Sequence, residues 1–211
     1  MIRLLVALLA FVTVATPAHA QTYPAKPIRL IVPFTPGGGT DFVSRLVAME
    51  LAKSTGWTVV VENKAGAAGT IGLIEAARAN NEGYDIVMGQ ADNLIIAPAI
   101  QKNVSIDPIK DLTPVILVAS SPFLLMVEAN SKYKTLPEII AAARANATAI
   151  TYGTAGHGTF PHLAMELLQS AGNFKVVEIP YKGAAPAMTD LLGGHTSMAA
   201  LSIASGMPHI Q

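Results

Sequence analysis

The sequence contains no cysteine, which excludes disulfide staples, thiolate metal cages and cysteine nucleophiles. Charged residues make up only 13% of the chain and sum to a net charge of zero. Without a basic excess there is no electrostatic footprint for nucleic acid or for an anionic membrane surface. Also missing are a G-x-S-x-G nucleophile elbow and an H-E-x-x-H zinc helix, so no activated nucleophile or metal cage can be named. His157, His162 and Asp41 are the only acid–base set worth weighing for an enzyme, and nothing in their spacing activates them. What remains is an apolar chain, 51% hydrophobic, a composition that suits an α/β protein whose strands are buried on both faces.

The first twenty residues read as a leader rather than as part of the fold. Arg3 supplies a short positive region, Leu4 to Val14 is an apolar run too short to span a bilayer, and Ala18-His19-Ala20 is an A-x-A cleavage site. The sequence therefore predicts export, with cleavage after Ala20 and a mature chain that begins at Gln21.

Strands are predicted at 28–33, 57–62, 84–89, 114–119, 122–128, 149–153, 175–180 and 197–202, with helical segments between most of them. This alternation favours a mainly parallel sheet, and ligands of such sheets sit beyond the carboxyl ends of the strands. One stretch organises the rest. The buried strand Ile28–Val32 runs into Pro36-Gly37-Gly38-Gly39-Thr40-Asp41, and the glycines open a helix on which Phe42, Leu46 and Met49 share one face. Amides in the first turn of a helix lack intrahelical partners and carry the positive end of the dipole, so this loop is a candidate anion seat. It is neither of the common phosphate loops: Phe42 stands at the third glycine position of G-x-G-x-x-G, and no Gly-Lys-Ser/Thr follows. Asp41 would repel a polyphosphate, which leaves a small organic anion as the better guest.

The same plan recurs. At an offset of 116, Thr35 and Gly37 match Thr151 and Gly153, Ala48–Leu51 matches Ala164–Leu167, Gly56 matches Gly172, and Val60–Glu62 matches Val176–Glu178. Two similar α/β lobes are expected, residues 21–120 and 121–211, closing a cleft on a small ligand. Further glycine-rich loops follow other strands: Asn63 to Gly69, Gly89-Gln90-Ala91-Asp92-Asn93, Thr151 to His162, and Pro180 to Ala184. Taken alone, each has a plainer reading. The glycines could serve only tight turns, Asp41 and His162 could be ordinary first-turn helix residues, Thr159 a helix cap, and Tyr181 and Lys182 surface residues.

Taken in order, Val32-Pro-Phe-Thr-Pro-Gly-Gly-Gly-Thr-Asp41, Glu62-Asn-Lys-Ala-Gly-Ala-Ala-Gly69, Gly83-Tyr-Asp85, Thr154-Ala-Gly-His-Gly-Thr159, Pro180-Tyr-Lys-Gly-Ala-Ala-Pro-Ala187 and Asp190-Leu-Leu-Gly-Gly194 resemble the Bug family. These are the TctC-type extracytoplasmic solute receptors of tripartite tricarboxylate transporters, and the resemblance covers the whole mature chain. It implies a type II-like, two-lobe periplasmic binding protein, monomeric at full length. Such a protein holds a small carboxylate or related solute between its lobes and hands it to the transporter's membrane subunits, with no cofactor, metal or catalytic residue. By the same resemblance Phe34, Gly37, Gly38, Gly39, Thr40 and Asp41 form one wall of the pocket beside Asn63, Gly66 and Ala67. Thr154, Gly158 and Thr159 close from the second lobe, with Tyr181 and Lys182 at the rim. Ala65 departs from the pattern, standing where a proline is common, and His157 occupies a variable loop position. Family members continue well past Gln211, so the resemblance implies a C-terminally truncated chain. Its second lobe would be incomplete, and its first lobe would lack the returning segment and expose apolar surface. A sensor role, presenting the closed form to a membrane signalling protein, would use the same cleft; co-purification with a permease or with a kinase separates the two.

Overall fold

The computed structural model describes residues 22–80, 82–102 and 104–210; the expected leader and cleavage site lie outside the described residues. Two sheets form. The first has strand order β2-β1-β3, from β1 (Ile28–Val32), β2 (Val59–Asn63) and β3 (Asp85–Val87), all parallel. The second has order β4-β7-β5-β6, from β4 (Phe123–Met126), β5 (Thr151–Thr154), β6 (Val177–Pro180) and β7 (Met198–Ser202). There β5 runs parallel to β6 and β7, while β4 pairs antiparallel with β7.

Five longer helices cover these sheets: α1 (Gly39–Thr55), α2 (Thr70–Ala77), α3 (Leu136–Ala145), α4 (Phe160–Gly172) and α5 (Ala184–Leu192). The second sheet is clad on both faces, and β7 shows why. Its residues alternate, Met198 and Ala200 joining Ile139, Tyr152 and Met165 on the α3/α4 side, Ala199 and Leu201 joining Ala187, Met188 and Leu191 of α5 on the other. That is the two-residue period of a pleated strand, with apolar residues on both faces because both are covered. In the first sheet β1 is central and nearly inaccessible at Ile28, Leu30, Ile31 and Val32. Arg29 ties that sheet together, reaching Asp85 on β3 at 2.6 Å, Glu62 on β2 at 3.0 Å and Glu75 on α2 at 2.8 Å.

Three sequence expectations need correction. No strand forms over 114–119; the segment runs unpaired, with Val115, Ile116 and Leu117 at 80%, 78% and 85% exposure. Its apolar composition mimics a buried strand, but among the described residues no strand pairs with it, and a strand exists only by pairing. The apolar stripe on α1 faces outward, with Phe42, Leu46 and Met49 exposed, whereas Gly39, Asp41, Ser44 and Ala48 face the protein. Small side chains win that face because α1 must approach the sheet and the second lobe closely. The repeat also slips. An offset of 116 does superpose helix on helix and β2 on β6, but it aligns Thr35 and Gly37 of a loop with Thr151 and Gly153 of β5, chiefly because α1 has 17 residues and α4 only 13.

Candidate functional site

The carboxyl ends of β1, β2 and β3 gather Phe34, the turn Ala67–Gly69 and the π-helical turn Asp92–Ile96. Across from them lie the loops after β5 and β6, and the two sets touch. A Cβ placed on Gly37 or Gly38 would lie 3.6 Å from the Cβ of Ala185 or Ala184, and one on Gly183 would overlap the Thr35 hydroxyl. One on Gly156 would lie 3.7 Å from the Ala68 Cα. Glycine at 183 thus lets the two lobes meet there, while the loops at 37–38 and 156 lie in ordinary contact across the cleft.

The triple glycine is a more occupied seat than the sequence suggests. The Gly37 amide donates to Asp41 Oδ2 at 3.0 Å, and the Gly39 amide donates to Ser205 Oγ at 2.9 Å, on the helical turn Ile203–Gly206 that follows β7. Among the described residues no acceptor is bonded to the amides of Gly38, Thr40 or Asp41, so the available donors lie at Gly38 and in the first turn of α1. The Asp41 side chain is engaged by its own lobe. Its carboxylate is 6% exposed and also accepts from Arg45 Nε at 2.9 Å and Asn63 Nδ2 at 2.9 Å. Burial pushes Asp41 upward, but the donors from Arg45, Gly37 and Asn63 together outweigh it and hold the carboxyl below the ordinary range. Asn63 also donates to the Phe34 carbonyl at 3.0 Å. Asp41 and Asn63 therefore brace the loop with their side chains. Thr40 Oγ1 accepts from Gln90 Nε2, which joins the first-strand loop to the third. Gly66 is buried and Ala67 exposed; Ala67 and Ala68 adopt positive φ of 47° and 55°, a conformation alanine rarely takes.

In the second lobe Thr154 is fully buried and donates to Glu178 Oε1 at 2.7 Å. Thr159 occupies the N-cap position of α4 but makes no side-chain cap bond; its hydroxyl donates back to the Gly156 carbonyl at 2.6 Å. The first amide of α4, that of Phe160, is taken by Asp92 Oδ1 at 2.7 Å, a contact across 68 residues and between the lobes. Burial raises Asp92, with the Phe160 amide opposing. Tyr181 OH donates to Asp190 at 2.5 Å, and burial with that bond pushes its phenol up to about 12. Lys182 is exposed.

His157, His162 and Glu178 bring three ligand atoms within 4.8 Å of one another, a grouping reminiscent of a His₂Glu zinc site. Tautomer chemistry argues otherwise. The Gly158 amide donates to His162 Nδ1 at 3.2 Å, so the neutral ring carries its proton on Nε2, the atom 3.5 Å from Glu178 Oε2. A metal would need the lone pair there, whereas metal-bound histidines donate rather than accept at the other nitrogen. With His157 Nδ1 2.8 Å from the same carboxylate, the cluster is a hydrogen-bonded carboxylate that fastens the 154–159 loop to β6.

Sequence reasoning passed over the roles of Ser205, Glu178, Asp92 and Asn93. The last two sit in the Gly89–Asn93 stretch, which the sequence does place at a strand's carboxyl end, but without a role for either residue. Ser205, 166 residues from Gly39, left no local signal.

Residues 43–211 match the family described as "Tripartite tricarboxylate transporter family receptor". Among curated proteins the chain is 34% identical to Protein BugT of Bordetella pertussis, over 100% of this chain and 66% of that protein. It is 38% identical to a protein of Agrobacterium vitis, over 86% and 53%. The chain thus spans between about half and two thirds of the length of these relatives. Among solved structures it is similar to the periplasmic binding protein BugD, at TM-score 0.84 and 36% identity over 89% of this chain and 62% of that one. It is also similar to MatC from Rhodopseudomonas palustris with bound malate, at TM-score 0.82 and 28% identity over 88% and 63%. A further R. palustris protein, with adipate, gives TM-score 0.82 and 30% identity over 88% and 62%. The α/β architecture is that of these periplasmic binding proteins.

Proposed function

Because the chain belongs to the TctC family of tripartite tricarboxylate transporter receptors, a family of receptors and not of enzymes, we propose that it captures a small carboxylate between its two sheets' carboxyl ends. The observation that carries this reading is the meeting of glycine-built loops across the cleft, 37–38 with 184–185 and 156 with 68. Around that meeting, unbonded helix-start amides supply positive potential without a dedicated arginine. Neighbours solved with malate and with adipate support a dicarboxylate as the first solute to try. The solute lies against Phe34, Gly38, Thr40, Ala67 and Gly158, with bridging waters completing its contacts. The mature chain works in the periplasm and delivers its solute to membrane subunits; no described helix is long and apolar enough to cross a membrane. The lobe boundary falls near Ser120.

A thermal-shift and calorimetric screen of the chain against di- and tricarboxylates, acidic amino acids, aromatic acids and nicotinate-like acids tests this. A solute present at about 100 times its Kd adds roughly 2.7 kcal/mol to stability, a clear rise in Tm. No stabilisation by any acid of the panel contradicts the proposal.

A further inference from the structure

Asn93 is fully buried, yet its Nδ2 has no hydrogen-bond partner among the described residues. Buried amide donors are almost always paired, and one left alone is costly enough to call for an explanation. The orientation is set by the backbone. Oδ1 accepts from the Gln90 amide at 2.9 Å, and flipping the group would face two donors at each other. Nδ2 therefore points away from Gln90 and is covered by Gly69, beside the Phe34 ring. A Cβ placed on Gly69 would lie 2.7 Å from Nδ2 and 3.0 Å from Phe34 Cζ. Asn93 thus sits where the carboxyl ends of all three strands converge: Phe34 follows β1, Gly69 follows β2, and Asn93 follows β3. In an open α/β sheet that is where a ligand lies. Its neighbour Asp92 bonds the first amide of α4, which holds this turn against the second lobe.

We infer that Asn93 reads the solute, its Nδ2 donating to an oxygen of the captured acid at the floor of the cleft. The inference rests on the cleft reading above and sharpens it. The end of the solute that reaches this floor is an acceptor, a carboxylate or carbonyl oxygen, and not an ammonium or a methyl group. A site built to donate rejects an analogue without the acceptor more strongly than an apolar wall rejects a missing methylene.

The test is Asn93→Asp, which keeps an acceptor for the Gln90 amide and nearly the same volume while replacing the donor with an anion. With malate, adipate and the rest of the acid panel as probes, calorimetry on wild type and variant gives the affinity ratio. The expected loss is about 10- to 100-fold, the worth of a hydrogen bond to a charged acceptor. Asn93→Ala, which adds no charge, should lose about 10-fold, and it decides the matter if the aspartate variant has no cooperative melt. If wild type binds an acid and a folded variant binds it equally well, Asn93 is structural and the inference falls while the cleft reading stands. If wild type binds no acid of the panel, both fall.

Discussion

The two strand-to-helix openings, 32–41 and 151–162, look alike in sequence but differ in which bonds cross between the lobes. In the first, Asp41 gathers a backbone amide, Arg45 and Asn63 from its own lobe, so most of the loop's bracing is internal to that lobe. In the second, the first amide of α4 is satisfied only by Asp92 of the other lobe. The first opening is braced mainly within its own lobe, with the Gly39 amide reaching across to Ser205, while the second leaves the first amide of its helix to the other lobe. A cleft that grips a solute needs both, a fixed wall and a wall whose order depends on approach.

The largest expected effect sharpens that contrast. Asp41→Ala should destabilise the chain by about 3 kcal/mol, because it strands the Gly37 amide and leaves Arg45 and Asn63 without their acceptor. Asp92→Ala should cost about 1–2 kcal/mol, one unpaired amide. Urea unfolding measures both, and equal costs would break the comparison.

Next in size are the opposed pH responses. Asp41 is held below its ordinary range when folded. Its contribution is therefore complete above the ordinary aspartate range and is lost as pH falls through the lowered folded value. Asp92 is raised when folded, so protonation favours the folded state; its contribution is greatest below the ordinary range and is lost as pH rises through the raised value. Stability differences between wild type and Asp41→Asn should grow with rising pH, and those for Asp92→Asn should shrink or change sign. Parallel trends would show that the two carboxylates share one environment.

Gly38→Val is expected to leave unfolding nearly unchanged, since φ is −81° and a Cβ has 3.6 Å to Ala184, while the valine methyls crowd the contact and weaken solute binding in calorimetry. Retained affinity would mean that the loop serves only as a turn. Smallest is His157→Ala, within about 0.5 kcal/mol by urea unfolding, because the His157 ring of the Glu178 pair is 70% exposed.

Local pattern made seven strands legible, because each pairs within the described chain and carries the apolar run that pairing buries. The exception at 114–119 has the run without the partner, and periodicity cannot see partners. Helix α1 misled for the same reason: Phe42, Leu46 and Met49 form the amphipathic stripe, but tertiary packing chose the Asp41, Ser44 and Ala48 face. At the site, the glycines announced where backbones approach. Whether an amide is open or occupied depended on Asp41, four residues along, and on Ser205, far down the chain. Asn93 was hidden in plain composition, since only burial distinguishes an orphaned amide from a surface one.

The most direct test of the cleft is a ¹H–¹⁵N titration of the labelled chain with malate, or with whichever acid of the panel stabilises it most. The account predicts that the largest perturbations fall together on the amides of Gly38, Thr40 and Gly158 and on the Asn93 side-chain NH₂. Perturbations confined to residues outside these loops, or none at a solute concentration that raises Tm, would contradict it.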